Sequence, residues 1–227
     1  MRHHASILGP ALLGVLVVCC ANSSAQKKSA TAALTDISNL GPQRDAIVRV
    51  LNQGIMPPLS PGGFGPLQIT TRRQFVVAVH RLFRLASVQK QPQFHDVPPT
   101  DPDFDAISSV VPFMHLQAFC PGCALNNDFR PDAPISLTLQ AVTLTSVLNS
   151  RHQIELVNPS EAGSILATPD LPQIAAPARV FLAAAVQNKI VSLDELKTRK
   201  TEPTRADTAV LLDTIQKRFK IPNVPQP

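Results

Sequence analysis

The chain has 227 residues, 44% of them apolar and 16% charged, which is enough apolar material for one or two globular domains and too much for a disordered tail. Its 22 prolines against 9 glycines exclude collagen-like and flexible Gly/Ser architectures and predict short, often interrupted elements. With no Trp or Tyr, 4% aromatic residues and a formal charge of only +5, neither base-stacking platforms nor a nucleic-acid footprint is supported, while a small anionic ligand is compatible.

Arg2, His3 and His4 precede an uncharged run from Ala5 to Val18, and small residues follow up to Ser23-Ser24-Ala25. That order of n-region, h-region and small-residue site predicts a signal peptide over 1–25 and export to the cell envelope, periplasm or cell surface. Cys19 and Cys20 offer the rival of a lipidated N-terminus, which the bulky Val18 before Cys19 disfavours. No later stretch approaches the roughly 20 apolar residues of a bilayer span, so no transmembrane helix is expected in the mature chain.

Self-comparison predicts three copies of one helix-loop-helix unit. Extended openings at Leu34-Thr35-Asp36-Ile37, Phe94-His95-Asp96-Val97 and Leu171-Pro172-Gln173-Ile174 lead into first helices from Pro42 or Gln43 to Gln53, Pro102 to Gln117, and Pro177 to Asn188. Thr71, Ser136 and Thr204 are equivalent N-caps of the second helices, 65 and 68 residues apart. Five, eight and eleven residues beyond them stand Val76, Val79 and Leu82, then Ala141, Leu144 and Val147, then Ala209, Leu212 and Ile215. All nine are apolar, a stripe that each copy should bury against its own first helix or a neighbour. One such pair is too small for a stable core, so the three are expected to pack together. The copies span 26–90, 91–150 and, more divergently, 171–220; 151–170 reads as a polar linker or insertion, and 221–227 as a loose tail.

Thr71-Arg72-Arg73-Gln74 has the form of a capping box, and Thr204-Arg205-Ala206-Asp207 is a near version with a shorter acid. Capping explains Thr71, Gln74, Thr204 and Asp207. It does not explain Arg72 and Arg205, because a cation in the first turn opposes the helix dipole by about a few tenths of a kcal/mol.

These motifs together resemble the S-layer homology (SLH) family. Copy two carries Phe94-x-Asp96-Val97 and Phe129-Arg130-Pro131, copy one Leu34-x-Asp36-Ile37, Gly54-Ile55, Phe64-Gly65-Pro66 and Thr71-Arg72, and copy three Thr204-Arg205-Ala206-Asp207. The resemblance implies an all-α fold of three tandem repeats in a pseudo-threefold unit. It also implies non-covalent attachment to an envelope polysaccharide or peptidoglycan-linked polymer, often acidic and pyruvylated, with Arg72 and Arg205 contributing to the ligand site. The expectation is that both guanidinium groups are accessible beside Thr71 and Thr204, where they and the helix-start amides converge on a carboxylate. Leu137 replaces the Arg in copy two, so a cationic site is expected to be lost there and the leucine to join the core. The rival reading is a degenerate module that binds an envelope protein; a polymer anchor needs the arginines in grooves, a protein binder an exposed apolar patch.

Cys120-Pro121-Gly122-Cys123 has the spacing of redox sites and of half a zinc site. With no second pair and no βαβ pattern, the favoured reading is a disulfide that pins a loop, with no metal and no cofactor. His80, His95, His115 and His152 fall in no catalytic motif, and Asp101 and Asp103 flank Pro102 where capping accounts for them, so no enzyme activity is expected.

Overall fold

The computed structural model describes residues 34–86, 94–120, 122–123, 127–168, 174–198 and 202–223. The expected signal segment with Cys19 and Cys20, the opening of copy three at 171–173 and the end of the tail lie outside these residues. The described residues form an all-α fold: α1 (Pro42–Asn52), α2 (Arg72–Phe83), α3 (Phe104–Val110), α4 (Leu116–Phe119), α5 (Leu137–Ser150), α6 (Pro159–Ile165), α7 (Ala176–Gln187), α8 (Leu193–Thr198) and α9 (Arg205–Arg218). Extended segments among them meet only in isolated bridges, notably Ile69 with Thr204 and Thr71 with Pro134. No helix among the described residues is long and apolar enough to cross a membrane.

The three expected N-caps are all present. Thr71, Ser136 and Thr204 each accept from the backbone N–H three residues on, and Gln74 and Asp207 reach back to complete capping boxes. At the other end, α1 closes on Gly54 in the left-handed region, whereas Arg84, His152, Lys189 and Lys220 adopt positive φ after α2, α5, α7 and α9. In each case the next amide bonds back to the helix, as from Leu85 to His80 and from Ile221 to Gln216. A chain poor in glycine thus ends most of its long helices on basic residues, whose charge complements the helix dipole.

The long first helix expected in copy two is broken. Pro112 has no N–H to donate, so α3 gives way to a 3-10 turn (Val111–Phe113), and left-handed His115 separates that turn from α4. The insertion at 151–170 is more than a polar linker: Asn158 caps α6 by accepting from Glu161 N–H at 2.8 Å, and Ile154, Val157, Ala162 and Leu166 are buried. A short α8 follows a reciprocal Ser192–Glu195 cap that the sequence reading did not anticipate.

All nine stripe residues of the second helices are buried in one continuous core. Apart from the 3-10 turn at Val111–Phe113, which touches α5, their main partners are not the first helices of the same expected copies. α1 packs on α9, α3 on α2 and α7 on α5, with α6 against α7 and α9 against α2. Where the starts of the second helices meet, a wholly buried polar contact joins them: the Thr70 and Thr208 hydroxyls are 2.8 Å apart and the Gln140 amide donates to Thr208 at 3.0 Å. The bonds fix relative position, at the cost of leaving Gln140 Oε1 buried without a hydrogen-bond partner.

Acid is expected to weaken this fold in two stages. Burial lowers the pKa of His80, also beside Arg81, and of His115, so both are disfavoured as cations in the folded state. The bond from Arg73 holds Asp101 below the ordinary carboxylate range; burial pushes Asp213 up, but the bonds from Arg49 and Lys217 outweigh it and its pKa is also lowered. In all four the folded value lies below the unfolded one, so their contributions are complete above the unfolded values and are lost as pH falls through the folded ones. Thermal melts should show Tm level above pH 7, declining below the ordinary His value of 6.5 and falling further below the ordinary Asp value of 3.8. A Tm unchanged between pH 7 and 3 would contradict these assignments.

Candidate functional site

Each of the two intact loop motifs is built on a carboxylate. Asp36 accepts from the backbone N–H of Phe64 at 3.1 Å and of Gly65 at 2.8 Å; Asp96 accepts from Phe129 at 2.8 Å and Arg130 at 2.6 Å. Gly65 and Arg130, the central residues of the two Phe-x-Pro segments, both have positive φ, which turns successive N–H groups toward one acceptor. The turn delivers Phe64 and Phe129 into the core, each fully buried.

The arginines complete this construction from a different copy. Arg205 Nε donates to the carbonyl of Phe64 at 2.8 Å and Nη2 to that of Pro57 at 2.7 Å, while its guanidinium lies 4.5 Å from the centre of the Phe64 ring. Arg72 Nη1 donates to the carbonyl of Phe129 at 2.9 Å and contacts Cys123 Sγ at 3.2 Å. The expectation that both side chains are accessible is therefore corrected: Arg72 is 9% and Arg205 1% exposed. Burial lowers both pKa values, that of Arg205 to about 10 against an opposing pull from Asp36, which leaves it cationic at neutral pH.

The helix starts are closed in the same way. Arg72 and Arg73 N–H donate to the carbonyls of Ala133 and Pro131, Arg205 and Ala206 N–H to those of Gln68 and Pro66, and the third amide of each helix to Thr71 or Thr204 Oγ1. Thr71 and Thr204 are half-buried and occupied as caps. The amides expected to converge on a ligand are thus already satisfied from within the protein. The pattern also accounts for Leu137. The segment 151–220 carries no Phe-x-Pro, so the third expected Arg and a third such turn are both absent from the sequence. Leu137 is only partly buried and packs at the edge of the core, not within it.

A different region has the character of a polar binding surface. Arg49 on α1, Lys217 on α9 and Lys220 beyond it line a groove of about 370 Å³ with Gln53, Gln216 and Asn223. Its one carboxylate, Asp213, is held by Arg49 at 2.7 Å and Lys217 at 2.8 Å. Arg84 donates to the Asn223 carbonyl, and Arg218 to those of Asn188 and Lys189 at 2.6 and 2.8 Å, which brings the C-terminal ends of α2 and α7 to the end of α9. The resulting face is basic, and Arg84, Lys189, Lys217, Arg218 and Lys220 are exposed on it. Its sequence signal was the Lys217-Arg218-Phe219-Lys220 cluster, which falls short of a long charge run.

Cys120 and Cys123 form a disulfide, with Cys123 buried and Cys120 partly exposed. His80 Nδ1 is 2.8 Å from Ser109 Oγ, and His115 stacks on Phe181 at 4.4 Å. Among the described residues no group of three or more His, Cys, Asp or Glu side chains is placed to hold a metal ion. Compared with known proteins, the chain matches no protein-family model and no curated protein.

Proposed function

We propose that the protein is a non-catalytic attachment module of the cell envelope, built from three SLH-like repeats around a pseudo-threefold axis, which binds an acidic envelope polysaccharide or wall-linked polymer. The pairing of the first helix of each copy with the second helix of the preceding one, α1 with α9, the short α3 with α2 and α7 with α5, supports the cyclic arrangement. Burial of Arg72 and Arg205 makes them the joints between repeats in this reading, and moves ligand contact elsewhere.

The observation that carries the binding assignment is the basic face around the end of α9. Stabilisation of helix ends accounts for individual cations there. It does not account for the gathering of Arg49, Lys217 and Lys220 around one groove, which suits the carboxylates of an acidic sugar polymer. Exposed charges act weakly one at a time, so reversing Lys217 and Lys220 to Glu together should reduce co-sedimentation with acidic wall polymer by roughly tenfold, and added salt should do the same to the wild type. Wild-type binding by the double variant would sink the assignment.

The alternative of a protein-interaction module is favoured by one feature. Leu59, Leu67 and Ile69 are exposed by 42%, 79% and 45% on the segment between α1 and α2. Under that reading Leu67→Glu abolishes capture of an envelope protein partner, whereas under the polymer reading it leaves sedimentation unchanged.

A further inference from the structure

We propose that the Cys120–Cys123 bond is a thiol–disulfide exchange site in which Arg72 holds Cys123 as the leaving thiolate. This goes beyond the loop staple expected from the sequence and is independent of the polymer-binding face. It rests on how the guanidinium is housed. Arg72 Nη1 contacts Cys123 Sγ at 3.2 Å, its Nε has no hydrogen-bond partner although it is enclosed, and no carboxylate among the described residues is within ion-pair distance. A disulfide sulfur is a weak, neutral acceptor, so the oxidised protein encloses a cation that no carboxylate contacts, with Asp96 the opposing charge that acts on it from further off. Reduction supplies that charge at the atom the guanidinium already touches.

Among the other charges around the pair, Asp96 stabilises the Arg72 cation, but burial and Arg130 together outweigh it and the Arg72 pKa is lowered. Both Asp96 oxygens are taken by the Phe129 and Arg130 amides. Asp128 lies 3.8 Å from His95 across a long contact. Arg130, whose guanidinium would lie 3.8 Å from a Cβ added at Gly122, brings a second cation to the loop and joins burial in lowering the Arg72 pKa. Proximity of cations is what depresses a thiol pKa, and a less basic thiolate leaves faster in exchange.

The exposures of the two sulfurs divide their roles. Cys120 is partly exposed, whereas Cys123 is 2% exposed and lies toward Arg72. A thiolate of an external dithiol bonds to Cys120 Sγ, the Cys120–Cys123 bond breaks, and its electron pair leaves on Cys123 beside Arg72. The donor's second thiolate then attacks the donor sulfur of the mixed disulfide, and Cys120 departs and takes a proton from water. The donor has lost two electrons and become a disulfide; the protein has gained them as a dithiol. A cavity of about 590 Å³ lies on the Cys123 side of the bond, bordered by Phe94, Val111, Leu116, His115 and Asp128, and gives room for a side chain of mixed character from a donor dithiol carried on a peptide chain.

The test uses the full chain with Cys19→Ser, Cys20→Ser and Cys120→Ser together, so that Cys123 is the one thiol left, and follows thiolate absorbance against pH. The Cys123 midpoint is expected at least about one pH unit below that of an ordinary thiol, near 8.5; Arg72→Lys should retain the shift and Arg72→Met remove it. In parallel, the wild-type disulfide equilibrated with dithiothreitol and with glutathione should be reduced at least about tenfold more readily than that of Arg72→Met. A Cys123 that titrates at or above the ordinary thiol value in this triply substituted chain with Arg72 intact overturns the proposal, and this readout stands even if Arg72→Met fails to fold.

Discussion

Arg205→Ala is expected to lower folding stability by about 3–5 kcal/mol, the range for stranding buried hydrogen-bond partners and opening a cavity together. Two carbonyls, of Phe64 and Pro57, lose their donor, and the Phe64 ring loses the cation 4.5 Å from its centre. The lowered pKa of Arg205 shows that its charge as such is better accommodated in water than in the fold, so the stabilisation comes from the hydrogen bonds and packing. Arg205→Lys should therefore rescue little: an ammonium on a shorter stem keeps the charge but cannot span two carbonyls as a planar fork does. Urea denaturation followed by circular dichroism measures both variants. A loss under 1 kcal/mol for Arg205→Ala would show that the loop carbonyls find other donors and that the residue is no joint.

How much of this was legible in the sequence depended on whether the determining interaction was local. The N-caps, the α1 and α7 spans and the three stripe residues of each second helix follow from hydrogen bonds and side-chain spacing within single helices, and periodicity reports those directly. The break after Val110 was also encoded locally, in Pro112, but an apolar pattern that continued to Leu116 hid it. The misplaced first-turn arginines were a real signal with the wrong destination. Their unfavourable position relative to the helix dipole is offset by carbonyls 57 and 141 residues distant in sequence, and no local rule points that far. The helix pairing was illegible for a similar reason, since the stripe specifies an apolar neighbour and not which one. The basic face gathers Arg49, Arg84, Lys189 and Lys217 from four parts of the chain, so no charge run marked it and the short cluster at 217–220 was passed over.

Phe129→Ala should cost a comparable amount, about 3–5 kcal/mol, because a fully buried ring is removed from a site whose backbone is fixed on both sides. Its N–H is held by Asp96 and its carbonyl by Arg72, so the turn cannot collapse into the space the ring leaves. The neighbouring Phe94 ring, 5.6 Å away, loses its partner as well. The two loop motifs then differ in how their phenylalanine couples to its arginine. Phe64 presents its ring to Arg205 as well as its carbonyl, whereas Phe129 meets Arg72 through the carbonyl, which an alanine retains. Double-mutant cycles are expected to give a coupling of about 0.5–2 kcal/mol for Phe64 with Arg205 and a smaller one for Phe129 with Arg72. Equal couplings in the two cycles would mean that the arginines are held by the backbone turns alone, with the ring under Arg205 contributing nothing of its own.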